Sequence, residues 1–129
     1  MAIRTYTFRK AERLCKKKII DELFEGSGCE KIYEYPFLVI HKGIESDTKA
    51  QVLISVGKKH LKKAFERNRL KRQIRELFRI NKEAFHELAT RQKNHLGFLI
   101  LYIGKESCSF FELKKSFEKI VEKIRRLDK

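Results

Sequence analysis

Two short apolar runs set the folding problem for this chain: Gln51 to Val56 (QVLISV), closed by Gly57, and Gly97 to Gly104 (GFLILYIG). Nearly continuous apolar side chains over so few residues, bounded by glycine, form the pattern of buried strands. Between them a helical region runs from His60 to about Ala89, which makes the unit a strand, a long crossover and a strand. The apolar register of that region changes around Asn81, which predicts a break near Ile80 to Lys82. Crossovers of this kind are nearly always right-handed, and the pattern alone predicts that hand.

The remaining segments supply what this unit packs against. From Lys10 onward, Leu14, Ile19, Ile20, Leu23 and Phe24 recur at helical spacing, and Gly26-Ser27-Gly28 supplies a stop. Ile32 to His41 reads as one strand, irregular or edge-placed at Pro36, and the polar run Lys42 to Lys49 reads as a loop. The last helix carries Phe110, Leu113, Phe117, Ile120, Val121, Ile124 and Leu127 in three- and four-residue steps, a stripe that must pack on a sheet. The order helix, strand, strand, helices, strand, helix describes an α+β sandwich, and 129 residues suit one domain over 1–129.

Charge narrows the class of partner. The chain carries 31 Lys and Arg against 17 Asp and Glu, a net charge of +14, so its natural partner is a polyanion. Membrane surfaces fit that description too. No apolar run approaches the ~18 residues of a membrane span, and MAIRTYTFRK lacks the apolar centre of a signal peptide, so a cytoplasmic protein without a membrane partner is expected. Cys15, Cys29 and Cys108 form no ligand spacing, and neither a disulfide scaffold nor a metal site is expected.

The charge is concentrated. Lys58 to Lys82 holds eleven Lys or Arg and two acids, Glu66 and Glu76, so +9 of the +14 lies there. At ~100° per residue Leu70, Ile74, Leu77 and Phe78 fall on one stripe, and Arg67, Asn68, Lys71, Arg72, Arg75 and Arg79 fan across the adjoining arc. A solvated helix face interleaves both signs, because like charges four residues apart repel. Arg67, Lys71, Arg75 and Arg79 repeat one sign at that spacing, which a phosphate-bearing partner would relieve. Helix-turn-helix binding of DNA is disfavoured, since no glycine marks a turn and the cations spread over a broad arc.

Catalytic residues are not evident. Metal-assisted phosphodiester hydrolysis uses clustered carboxylates, yet Asp21, Asp47 and Asp128 are dispersed and most Glu residues stand beside Lys or Arg. His41, His60, His86 and His95 are equally scattered and read as structural or surface residues.

The run Phe65-Glu-Arg-Asn-Arg-Leu-Lys-Arg-Gln-Ile-Arg-Glu-Leu-Phe78 resembles the signature helix of the bacterial ribonuclease P protein family, in which Arg-Asn-Arg is followed by an apolar residue, Lys-Arg, two residues and Arg. Ile54-Ser-Val-Gly-Lys-Lys59 resembles the strand and basic turn before that helix, Phe8-Arg-Lys-Ala-Glu-Arg-Leu14 its N-terminal element, and Phe110-Phe-Glu-Leu113 the start of its last helix. Two departures stand out: Arg9 occupies a position where many members carry Pro, and the Lys59-to-Arg67 spacing is a residue longer than in some.

The resemblance implies a two-layer α/β sandwich with a small mixed sheet and an unusual left-handed βαβ crossover, an architecture shared with a small-subunit ribosomal protein. It also implies an accessory subunit of an endoribonuclease whose RNA holds the magnesium ions and hydrolyses the 5′ leader of precursor tRNA. RNA would be bound by Lys58, Lys59, Arg67, Asn68, Arg69, Lys71, Arg72 and Arg75. The leader would lie between the first helix and the sheet, with Ile20, Phe24, Ile40 and Leu101 lining the cleft, ordinary core being the rival for each, and Arg9, Arg13, Lys16 and Lys17 either guiding the backbone or simply solvated. No cofactor is expected on the protein itself. Another RNA-binding or ribosome-associated protein of the same sandwich is the alternative.

Overall fold

The computed structural model describes residues 13–14, 16–26, 28–45, 48–57, 61–104 and 109–127. Its elements follow in the order α1 (Lys17–Glu25), β1 (Glu30–Glu34), β2 (Phe37–Gly43), β3 (Ala50–Val56), α2 (Ala64–Gln92), β4 (Leu96–Tyr102) and α3 (Phe110–Arg126). The strands form one sheet in the order β1-β2-β4-β3, antiparallel except for the parallel β3–β4 pair that α2 connects. This is a mixed α+β sandwich of the expected class.

Three local expectations are corrected. The segment 32–41 is a hairpin rather than one strand: β1 and β2 pair from Glu30↔His41 to Glu34↔Phe37, and Tyr35-Pro36 forms the turn. Pro36 has no N–H to give a ladder, so the chain reverses there and its carbonyl accepts from the Ile103 N–H at 2.8 Å. The expected break at 80–82 is absent, and α2 runs unbroken for 29 residues. Its seam of Leu70, Ile74, Leu77, Ala84 and Leu88 continues through Asn81, whose amide donates to the Leu77 carbonyl at 2.9 Å. A polar side chain satisfied by its own helix leaves the seam intact while erasing its apolar signal.

The first helix is also shorter than its apolar spacing suggests. Lys10 lies outside the described residues, but Arg13 and Leu14 are extended along the outer edge of β3, where the Leu14 N–H donates to the Val52 carbonyl at 3.0 Å. α1 starts only at Lys17 and ends at Gly26, which takes φ 74° and returns its N–H to Glu22.

Alternation along the strands divides the sheet into two faces. One, built from Phe37, Val39, Val52, Val56, Phe98, Ile100 and Tyr102, is covered by α2 and α3. Phe85 stands at its centre, in ring contact with Phe78 (5.0 Å), Phe98 (4.9 Å) and Phe117 (6.2 Å). Ser109 caps α3 by accepting from the Glu112 N–H, and Arg91 donates to the Ile124 carbonyl at 2.8 Å, joining the far ends of the two helices. The other face has a smaller core of Leu14, Leu23, Ile40 and Leu99 beneath α1. Gly97 makes room on this face for Ile44, whose side chain a Cβ there would meet at 3.1 Å, while Ile19 of α1 would stand at ordinary contact, 3.7 Å.

Candidate nucleic-acid interface

The ridge on α2 rests on its own core. Leu70, Ile74, Leu77 and Phe78 are buried, as the helical projection predicts, so the opposite arc is held toward solvent. Asn68, Arg69, Arg72 and Arg75 are exposed, and Lys71 is half-buried beside them. Two members of the expected ridge are engaged within the protein. Arg67 donates at 2.7 Å to the carbonyls of both Leu61 and Lys62, bracing the segment that leads into the helix. Arg79 pairs with Glu76, which holds that carboxyl below the ordinary range and raises the guanidinium, and offsets one charge at the ridge's lower end. The free cations are thereby concentrated on the first half of α2. Lys58 and Lys59 lie outside the described residues.

The α1 face presents a different surface. Cross-strand register places Lys31, Ile40, Leu99 and Leu53 in one row, and Tyr33, Leu38, Leu101 and Ser55 in the next. α1 closes the first row, so Ile40 is only 4% exposed and forms floor rather than lining. The second row stays open: Leu38, Leu101 and Ser55 are half-buried, and Tyr33 is 57% exposed at its outer end.

The two flanks of α1 explain which way its side chains look. Ile19 packs toward Gly97, and Glu22 pairs with Lys42, an interaction that lowers the carboxyl's pKa; both mark the flank away from the open row. Lys17, Ile20 and Phe24, at positions i, i+3 and i+7, share the other flank. Ile20 is half-buried against the small core, whereas Phe24 keeps 51% of its surface exposed and does not belong to that core. Ile20 and Leu101 thus pack against the same small core, at the base of the trough left between this flank of α1 and the open row. Arg13 stands apart, exposed on the outer edge of β3.

Tyr33, Leu38 and Ser55 escaped the reading of the sequence. Phe37 to Ile40 is apolar on both faces, so alternation could not assign a side, and Tyr33 joins the row only once Tyr35-Pro36 is understood as a hairpin turn.

Other candidate chemistry is sparse. His41 is buried against Phe98, with ring centroids 5.4 Å apart; His86 and His95 are half-buried, and His60 lies outside the described residues. The Cys29 thiol donates to the Glu22 carbonyl at 3.8 Å, while Cys15 and Cys108 are not among the described residues. Among the described residues no three His, Cys, Asp or Glu side chains gather as metal ligands, and no helix is long and apolar enough to cross a membrane.

Known proteins resemble the chain over nearly its whole length. The ribonuclease P family profile matches residues 8–125. A ribonuclease P protein component from Chlorobium phaeobacteroides is 36% identical, over 92% of this chain and 88% of that protein. One from Porphyromonas gingivalis is 28% identical, over 93% and 88%. In three dimensions the fold is similar to the RNase P protein of Staphylococcus aureus, with a TM-score of 0.70 at 21% identity over 93% of this chain and all of that one. The Thermotoga maritima protein gives 0.66 at 22% identity, over 92% and 99%.

Proposed function

The chain belongs to the ribonuclease P protein family, and we propose that it acts there as a two-sided RNA adaptor, holding the ribonuclease P RNA with one surface and the 5′ leader of precursor tRNA with another. As a component of this endoribonuclease it has the ribonuclease P RNA as its partner. The observation that carries the reading is the one-sided cationic arc of α2, where Arg69, Lys71, Arg72 and Arg75 project from a helix whose other side is locked in the core. Such an arc binds phosphates without reading sequence, and releases counterions as it does so.

The trough beside α1 suits a single strand. Phe24 and Tyr33 offer ring faces to bases, Leu38 and Leu101 an apolar floor, and Lys17 a cation for the backbone. Base stacking on aromatic rings is largely indifferent to sequence, as a protein that meets many different leaders requires. In this reading hydrolysis and its Mg2+ ions belong to the RNA, the protein contributes no catalytic residue, and DNA is not a partner.

The test is cleavage of precursor tRNA by a ribonuclease P RNA across a magnesium series, with and without the protein. The protein should lower the magnesium requirement, because its cations supply screening that Mg2+ otherwise provides. Cleavage at the mature 5′ end by an RNA-free preparation, or an unchanged magnesium requirement, would overturn the proposal.

A further inference from the structure

Cations at the two ends of α2 are not equivalent. The aligned peptide dipoles of a helix favour positive charge at its C-terminus and disfavour it at its N-terminus. Arg91 in the last turn of α2, and Lys123, Arg125 and Arg126 in that of α3, stand where the dipole favours them. Lys62 and Lys63 do not. They precede the first turn of α2, and Lys63 holds the N-cap position, where Ser, Thr, Asp or Asn is the usual residue, without making a capping bond. Both are exposed, and among the described residues no carboxylate pairs with either.

The backbone that carries them is nonetheless held at every residue. Leu61 is 5% exposed, with its side chain in the large core and its N–H donating to the Gly57 carbonyl at 3.4 Å. One nitrogen of Arg67, Nη1, donates at 2.7 Å to the carbonyls of both Leu61 and Lys62, and the Arg67 N–H donates to that of Lys63 at 3.2 Å. A single residue thus binds three successive carbonyls. Two adjacent cations are thereby fixed at the end of a helix that repels them, an arrangement that an anionic partner relieves.

We propose that Lys62 and Lys63 contact phosphates of the ribonuclease P RNA, and that Arg67 is the positioning residue that presents them. The inference rests on the RNA-binding reading above; it adds two cations that the arc does not include and moves Arg67 from contact to support. The RNA subunit is the partner because the arc begins on the same helix: Arg69 stands six residues after Lys63, about 9 Å along the axis. A segment already held in place spares the complex part of the ordering that binding would otherwise require.

The experiment measures binding of ribonuclease P RNA to the full chain over a salt series. The variants are Lys62→Ala, Lys63→Ala, the two together, Arg67→Ala alone and in that double background, Arg67→Lys, and Arg72→Ala. Each single lysine variant should lower the slope of log affinity against log salt by about one, as should Arg72→Ala in the arc. Melting temperatures of the lysine variants should not fall, because both side chains are exposed and stand at the end of α2 that disfavours them. Arg67→Ala should keep the wild-type slope and bind about two- to tenfold more weakly at every salt concentration, since a loosened side chain must be ordered on binding. That loss should vanish when Lys62 and Lys63 are already alanine. Arg67→Lys keeps the charge on a stem one bond shorter, too short to reach both carbonyls, and should lose as much; if Arg67→Ala does not fold, this variant decides.

Wild-type slopes in both lysine variants would overturn the contacts while sparing the arc, provided Arg72→Ala still shows its change. A slope reduced by about one in Arg67→Ala, or full affinity in Arg67→Lys, would make Arg67 itself a phosphate contact and overturn its positioning role. A loss from Arg67→Ala that persists without the lysines, alongside a lowered melt, would reduce it to a structural bond and also overturn that role. A lysine effect confined to precursor tRNA in the assembled holoenzyme would overturn the choice of partner. Absence of salt-dependent RNA binding by the wild-type chain would sink the underlying reading and this proposal with it.

Discussion

The two faces of the sheet are made from the same strands, yet one is closed and the other is left half open. On the α2/α3 side, two long helices bury aromatic rings against one another until little is accessible. On the other, the nine residues of α1 cover one cross-strand row and stop short of the next. Stability and accessibility are thereby divided between faces. The large core fixes the sheet firmly enough that the small one can forgo coverage and leave Tyr33, Leu38 and Leu101 accessible.

Substitutions can break this contrast, beginning at the centre of the large core. Phe85→Ala should cost ~3–5 kcal/mol of unfolding free energy, because three other rings pack on it and cannot all collapse into the space. Chemical denaturation would measure this, and a cost below that of any α1-face substitution would dissolve the distinction. Leu23→Ala, in the small core, should cost less, about 2–3 kcal/mol at the lower end of the usual range, since an open trough beside it lets neighbours relax.

Phe24→Ala sharpens the comparison by separating folding from binding. Half-exposed, it should leave the thermal melt unchanged while weakening precursor tRNA binding by the holoenzyme by about 1–3 kcal/mol; mature tRNA, which has no leader, should be unaffected. Equal loss for both ligands, with a lowered melt, would return Phe24 to the core.

The smallest effect is at the sheet's edge, where Lys123 of α3 bonds both the Tyr33 carbonyl (2.6 Å) and Glu34 (2.9 Å). That hydrogen bond holds the Glu34 carboxyl below the ordinary range. A group lowered in the folded state stabilises above its unfolded pKa, about 4.3, and that contribution is lost as pH falls through the folded value. Melting temperatures followed from pH 6 downward should therefore decline slightly less in Glu34→Gln than in wild type. A steeper decline in the variant would reverse the assignment.

Much of this contrast was legible in the residues. The apolar runs at 51–56 and 97–104 announced the parallel pair, and the stripe from Leu70 to Phe78 oriented the cationic arc correctly, because one-sided burial imposes a period that sequence retains. What failed to show were features settled by individual hydrogen bonds, near or far along the chain, which leave no period in the residues. Leu14 fits a helical repeat, but its backbone is claimed by Val52. Asn81 looks like an interruption until its amide is seen bonded one turn back. Arg67 reads as a ridge cation, yet it is committed to two carbonyls that close the turn before it. Around the open row, Phe24, Ile20, Ile40 and Leu101 could be named from the residues, but their exposure could not: Ile40 is buried and Phe24 is not, and Tyr33 and Ser55 join the row only through strand register.

The placement of α1 also carries a consequence in time. Leu23 packs in the same small core as Leu99, and these residues are 76 positions apart, with the whole of α2 synthesised between them. A chain emerging from the ribosome has made its first helix and hairpin long before it has the central strand on which both must rest. Contacts that distant are slow to form and contribute nothing until the intervening segment is ordered. The α1 face can therefore be completed only after β4 has been delivered, and a ribosome that stalls before residue 96 releases a chain in which α1 has no sheet to rest on.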